Sequence, residues 1–163
     1  MLPSGLTDLA AQVLRHAEER GERVATAESC TGGLVAAALT AISGSSRVVD
    51  RGFVTYSNEA KAEMLGVPPD LIETHGAVSR EVAVAMAEGA LAHSRAHAAV
   101  AVTGIAGPGG GSADKPVGLV HFALARRGEA TRHAEHRFDG DRDGIRLQAA
   151  LAALGLFVPP QPT

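Results

Sequence analysis

The chain is most constrained by a stretch near its start, Arg23-Val24-Ala25-Thr26-Ala27-Glu28-Ser29-Cys30-Thr31-Gly32-Gly33-Leu34. A short apolar run crosses a cluster of small polar residues, passes two glycines and becomes the apolar run Leu34 to Ile42. This pattern predicts a strand, a tight turn and the start of a helix. A helix start carries unpaired backbone N–H groups and a partial positive charge, so it favours an anion or a developing oxyanion. Gly32 and Gly33 have no Cβ and would let a ligand approach the main chain closely. Ser29 and Thr31 place hydroxyls at that mouth, and Glu28 adds a carboxylate. The same residues also suit a plain helix cap with two packing glycines, because Ser and Thr are common caps.

The remaining segments set the class. Leu6 to Arg20 carries apolar residues at helical spacing and stops at Gly21. Val24 to Ala27 is the first strand; Val48-Val49 and Gly52 to Tyr56 form a second, with a small break. Ser57 or Asn58 caps a short helix over Glu59 to Leu65, Leu71-Ile72 makes another helical turn, and Ser79 caps the long helix Arg80 to His93. Ala98 to Gly104 is a continuous apolar run, suited to a strand covered on both faces. The loop Gly104 to Pro116 is too rich in glycine for a helical crossover, so Val117 to Ala125 is expected to return antiparallel. A hairpin turn at Arg126 to Glu129 leads into Ala130 to Phe138, and Asp143 to Leu154 is the last helix. Parallel connections early and antiparallel ones late predict an α/β fold: a three-layer α/β/α sandwich on a mixed five-stranded sheet. At 163 residues, without repeat or linker, one domain is expected over residues 1–163.

Aromatic residues are scarce, with no Trp, one Tyr and four Phe, so alanine, valine and leucine must build the interior. A net charge of −3 gives no basic excess for nucleic acid or an anionic membrane. One cysteine permits no internal disulfide and fits a reducing compartment. The start of the chain lacks the pattern of a signal peptide, and no stretch reaches the apolar length of a membrane span. A cytoplasmic protein is therefore expected, with no nucleic-acid or membrane partner.

Sites in open α/β sheets gather at strand ends. Three segments supply suitable residues there: Glu28 to Gly33, Thr55 to Lys61, and Thr103 to Ser112. Lys61 falls early in a helix, where the dipole disfavours positive charge and burial would lower its pKa. A neutral lysine can act as general base toward a serine hydroxyl, with Tyr56 relaying the proton or orienting the amine. A solvated lysine beside a half-buried tyrosine is the plainer alternative. The glycine loop, including Thr103, Gly104 and Gly107, resembles a phosphate cradle but lacks the lysine-and-hydroxyl ending of a P-loop. It suits a lid, a backbone nest or a mobile loop equally. Arg142, between Asp141 and Asp143, offers a guanidinium to a carboxylate or phosphate, or belongs to a capping cluster. His133 and His136 lie three apart on a strand and so face opposite sides, and no ligand spacing supports a metal. No metal and no cofactor are expected. Cys30 is a second candidate nucleophile but has no histidine partner in sequence.

The runs Ala27 to Gly33, Gly52 to Lys61, His75 to Ser79, Thr103 to Pro108, Lys115 to Gly118 and Gly140 to Arg142 together closely resemble the CinA C-terminal family, which includes nicotinamide-nucleotide amidases. The motifs occur in order over about residues 7 to 155. The resemblance implies a CinA-like, anticodon-binding-domain-like three-layer fold in its stand-alone form. It implies hydrolysis of the carboxamide of nicotinamide mononucleotide to nicotinate mononucleotide and ammonia, without a metal. It maps the family's serine, tyrosine and lysine onto Ser29, Tyr56 and Lys61, with Ser46 in the Gly44-Ser45-Ser46 turn as a further serine. Which serine attacks stays open, with Ser29 favoured for its helix start. On this reading Glu28, Thr31, Gly32, Gly33, Thr103, Gly104, Gly107 and Arg142 surround the substrate, and a homo-oligomer is expected. The alternatives are a non-catalytic nucleotide-binding protein, an interaction partner in competence or recombination, and a phosphatase using the glycine loop.

Overall fold

The computed structural model describes residues 1–160. The chain runs α1 (Ser4–Glu19), β1 (Val24–Glu28), α2 (Leu34–Thr40), a 3₁₀ turn at Ser45–Arg47, β2 (Val49–Val54), α3 (Asn58–Leu65) and α4 (Pro69–His75). It continues through α5 (Arg80–Ala92), β3 (Ala98–Gly104), β4 (Leu119–Arg126), β5 (Arg132–Arg137) and α6 (Arg142–Leu156). The five strands form one sheet in the order β2-β1-β3-β4-β5. β1 is parallel to both neighbours, whereas β3, β4 and β5 pair antiparallel. This is the mixed five-stranded α/β arrangement expected, with element ends shifted by a few residues. The expected break in the second strand is a register irregularity opposite Val24 and Ala25 within a continuous β2, and Tyr56 falls beyond its end.

The two faces of the sheet are built differently. On one, Val24, Val100, Val102, Val120, Phe122 and Leu124 pack against α1, α2 and α6. On the other, Ala25, Ala27, Ala99, Ala101, Ala123 and Ala125 meet α5 with α3 and α4 beside it. Burying a large aliphatic side chain contributes about 1.5–3 kcal/mol, so the first face supplies more hydrophobic stabilisation per residue. The alanine face supplies proximity, and α5 lies close on β3 and β4. The closeness extends to α3: a Cβ at Gly89 of α5 would overlap the Leu65 carbonyl oxygen. Only a residue without a side chain lets these two helices touch there.

Caps set the register of the helices that carry the site. Ser57 Oγ accepts from the Ala60 N–H at 3.0 Å and starts α3, and the Ser79 and Asp141 side chains do the same for α5 and α6. His133 and His136 do project to opposite faces. His133 lies against His121, with 2.9 Å between His121 Nδ1 and His133 Nε2, and His136 packs against Phe122 and Phe138. No helix among the described residues is long and apolar enough to cross a membrane.

Candidate active site

β1 and β3 run parallel, so their C-terminal ends share one edge of the sheet, where the loop after β2 also arrives. Ser29 directly follows β1, and its N–H still donates to the Val102 carbonyl at 2.9 Å, which fixes the residue to the sheet. Lys61, on the first full turn of α3, points inward and is 1 % exposed. Its Nζ lies 3.1 Å from Ser29 Oγ, 2.9 Å from the Thr55 carbonyl oxygen and 3.4 Å from the Tyr56 carbonyl oxygen.

All three neighbours of the amine are neutral oxygens. Burial accordingly pushes the Lys61 pKa down, only partly opposed by the nearby Cys30 thiol. In its neutral form the amine has two hydrogens for two carbonyls and one lone pair left for the serine hydroxyl. That distribution matches the three oxygens present and turns the Ser29 O–H into a donor toward Lys61. Cys30, by contrast, is a poor nucleophile here: burial pushes its thiol up to about 11, so the thiolate is scarce at neutral pH.

These groups open into a cleft of about 220 Å³ lined by Ser29, Cys30, Lys61, Ala77, Thr103 and Arg142, with Tyr56, Asn58, Val78, Gly104 and Ala106 completing it. A second cleft of about 520 Å³ adjoins it, sharing Ala106 and Arg142 and bounded by Pro108, Val117 and Gly140 to Asp143. Arg142 stands between them. Its Nη1 donates to the Gly107 carbonyl at 2.7 Å and its Nη2 to the Tyr56 phenol oxygen at 3.2 Å. The Tyr56 side chain is 62 % exposed, so the phenol contacts the arginine while only the main-chain carbonyl of Tyr56 faces Lys61.

Several residues expected at the substrate are placed otherwise. Ser46 lies just before β2, and Val48 there accepts from the N–H of Val24 at the start of β1. Because β1 and β2 are parallel, exposed Ser46 sits at the opposite end of the sheet from Ser29, roughly 15 Å away at the usual rise per strand residue. Within this chain it cannot share a centre with Lys61. Glu28 is fully buried, and its carboxylate accepts from Thr31 Oγ1 at 2.6 Å, the Val35 N–H at 2.9 Å and the Ala36 N–H at 3.0 Å. Glu28 and Thr31 therefore cap α2 from within and leave no group for a ligand. The helix start expected to hold an oxyanion is already occupied by this carboxylate.

Gly32 (φ 57°) and Gly33 (φ 106°) shape the turn instead of lining the cleft. The main-chain N–H groups of Cys30, Thr31 and Gly33 have no backbone or carboxylate acceptor among the described residues, and of these three residues only Cys30 lines the cleft. Thr103 and Gly104 do line the cleft, though the Thr103 hydroxyl is engaged by the Ala77 carbonyl at 2.8 Å. Gly107 contributes its carbonyl to Arg142. Arg146, one turn beyond Arg142, went unnoticed in the sequence. Its Nε donates to the Cys30 carbonyl and its Nη2 to the Thr31 carbonyl, each at 3.1 Å. No group of three or more His, Cys, Asp or Glu among the described residues is placed to hold a metal ion.

With this geometry in view, residues 6–159 match the CinA C-terminal domain. The chain belongs to the CinA C-terminal domain family. It is 55 % identical over 155 residues to the nicotinamide-nucleotide amidohydrolase PncC of Escherichia coli K12, covering 94 % of this chain and 93 % of that protein. It is 56 % identical over 139 residues to a CinA-like protein of Syntrophobacter fumaroxidans, covering 85 % of this chain but 32 % of that protein. The chain thus spans nearly the whole of some curated CinA relatives and about a third of others. Among solved structures, the competence/damage-inducible protein CihA of Agrobacterium tumefaciens superposes with a TM-score of 0.93 at 55 % identity, covering 96 % of this chain and 95 % of that one. A CinA-superfamily protein from Klebsiella pneumoniae 700603 gives 0.89 at 39 %, covering 93 % and 94 %.

Proposed function

We propose that this CinA-family protein is a nicotinamide-nucleotide amidohydrolase that cleaves the carboxamide of nicotinamide mononucleotide to nicotinate mononucleotide and ammonia. Ser29 is the nucleophile and Lys61 its base. The observation that carries this reading is the buried, carboxylate-free Lys61 amine 3.1 Å from Ser29 Oγ. It joins the 55 % identity to an amidohydrolase over nearly the full length of both chains.

Ser29 Oγ forms a bond to the amide carbon while its proton passes to Lys61 Nζ. The main-chain N–H of Cys30, which lines the cleft beside Ser29, is assigned to the carbonyl oxygen as it becomes an oxyanion. Collapse of the tetrahedral species breaks the C–N bond, and the Lys61 proton leaves with ammonia. Water then attacks the acyl ester with Lys61 again as base, releasing the carboxylate and restoring Ser29. Nucleophile and base both belong to the chain, so the proposed route uses neither metal nor cofactor. The carboxamide ring fits the smaller cleft, with Arg142 at the border toward the larger one placed to exchange the Tyr56 phenol for the substrate phosphate. A reducing interior suits the one free thiol, so the reaction is assigned to the cytoplasm.

The test is ammonia release from nicotinamide mononucleotide by the wild type and by Lys61→Met. Turnover in the wild type and loss of at least about 10³-fold in the variant is expected. Nucleotide binding without ammonia in the wild type would instead mark a sensor, and full activity in Lys61→Met would end the Ser29–Lys61 assignment.

A further inference from the structure

We infer that Arg146 is a positioning residue for the nucleophile: its fork holds two consecutive carbonyls of the turn after Ser29, and thereby keeps Ser29 and Cys30 set at the cleft. The inference rests on the Ser29 reading above and adds a residue to it.

The turn has to be held by something other than its own hydrogen bonds. Between Ser29 and Leu34 only two backbone bonds close on themselves, Gly32 N–H to the Ser29 carbonyl and Leu34 N–H to the Thr31 carbonyl, both 3.0 Å. Two successive left-handed glycines follow, a combination with intrinsically wide backbone freedom. The Cys30 carbonyl has no backbone donor and takes the Arg146 Nε proton at 3.1 Å, and the Thr31 carbonyl takes Nη2 at 3.1 Å. A planar guanidinium making two bonds fixes direction as well as distance. Cys30, whose carbonyl it holds, lines the cleft beside Ser29, so the two contacts fix the main chain directly after the nucleophile.

Arg146 is itself anchored by a well-buried helix: its neighbours Ile145, Ala149 and Ala150 are core residues, and α6 packs on α2 and β3. No carboxylate pairs with its guanidinium among the described residues, so both of its contacts are to the turn. The same helix presents Arg142 one turn earlier, which joins the Tyr56 phenol to the Gly107 carbonyl. The nucleophile turn and the substrate border are thus both aligned from α6.

The inference is tested with Arg146→Met, Arg146→Lys and the wild type, assayed for ammonia release and for binding of two probes. One probe is nicotinate mononucleotide, a planar product. The other is pyridine-3-boronic acid, which becomes tetrahedral when a serine hydroxyl adds to it. Arg146→Met should lower kcat by about 10²-fold with KM within about threefold, the scale of misplacing a reacting group by about 1 Å. It should weaken the boronic acid at least tenfold and leave product binding unchanged. Arg146→Lys, which can reach one carbonyl at a time, should recover part of kcat. The inference is overturned if Arg146→Met keeps kcat, or if product and boronic acid weaken equally. Should Arg146→Met not fold, wild-type kcat in Arg146→Lys overturns it too. A wild type that never binds the boronic acid, or a Ser29→Ala variant that binds it equally well, would instead sink the Ser29 reading itself.

Discussion

Two glycine-bearing segments border the same cleft, and they are held and exposed differently. The turn from Ser29 to Gly33 is held at several points: the Ser29 N–H by β3, the Thr31 hydroxyl by Glu28, two carbonyls by Arg146. The loop from Gly104 to Gly118 is tied at its ends and, between them, by Arg142 on the Gly107 carbonyl and Lys115 on the His75 carbonyl. At the ends Ile105 donates to Leu119 and Gly118 to Ile105, and between them Ser112 and Lys115 bond each other. Residues 108 to 114 are exposed throughout. Left-handed glycines shape both, Gly32 and Gly33 in the turn and Gly107, Gly110 and Gly118 in the loop; what separates the two is exposure, since the turn is packed against the sheet and the stretch from 108 to 114 stands in solvent. Bond-making is assigned to the constrained segment, and accommodation of the rest of the substrate to the loose one.

The largest expected contrast is catalytic. Ser29→Ala should reduce ammonia release by about 10⁴-fold or more, whereas Ser112→Ala, in the middle of the loop, should stay within twofold of the wild type. Equal losses from both would erase the distinction. Next comes Arg142→Ala, at the border of loop and cleft. Losing a charge-assisted contact to a phosphate should raise KM for the mononucleotide about 10- to 100-fold with kcat nearly kept. A larger fall in kcat than rise in KM would place Arg142 with the chemistry.

A smaller difference should appear in stability. Gly33→Ala forces a side chain to φ 106° and should cost about 1–2 kcal/mol by denaturant unfolding. Gly109→Ala meets nothing within 4 Å at an ordinary φ and should change stability by less than about 0.5 kcal/mol.

The smallest effect concerns Lys61 and pH. Its pKa is lowered in the folded protein, so kcat/KM should rise with pH along a limb centred below the ordinary lysine value of about 10.4. Between the folded and unfolded values the unfolded chain holds the extra proton. Stability therefore rises with pH across that window and levels off above it. Lys61→Met removes this penalty and should melt at or slightly above the wild-type temperature at pH 7, by up to about 1 kcal/mol. The gap should narrow toward pH 10, and a variant that gains nothing at pH 7 would argue against a strained amine.

Much of this was legible in the chain. Apolar periodicity and glycine placement predict the succession of helices and strands and their parallel-then-antiparallel connections, and strand ends point to Ser29 and Lys61; the order of the strands across the sheet is not among those expectations. Ser46 was legible too, in principle: a parallel connection already puts the residue before the second strand far from the residue after the first. Glu28 was not, because an acid among small polar residues looks like a ligand group until the N–H groups of Val35 and Ala36 are seen folding back on it. Arg146 was hidden for another reason. On a helix with apolar neighbours, an isolated arginine looks like an ordinary solvated position, and its partners lie more than a hundred residues earlier in the sequence.

The contact at Gly89 reaches further than its own helix. Leu65 lies one turn past Lys61 on α3, so whatever pushes on the Leu65 carbonyl tilts the segment carrying the base. A single methyl group added at Gly89 would act as a wedge, easing the amine away from the alcohol without touching either. On the proposed reading, an unreactive spacer on a neighbouring rod thereby bears on the distance between Lys61 and Ser29.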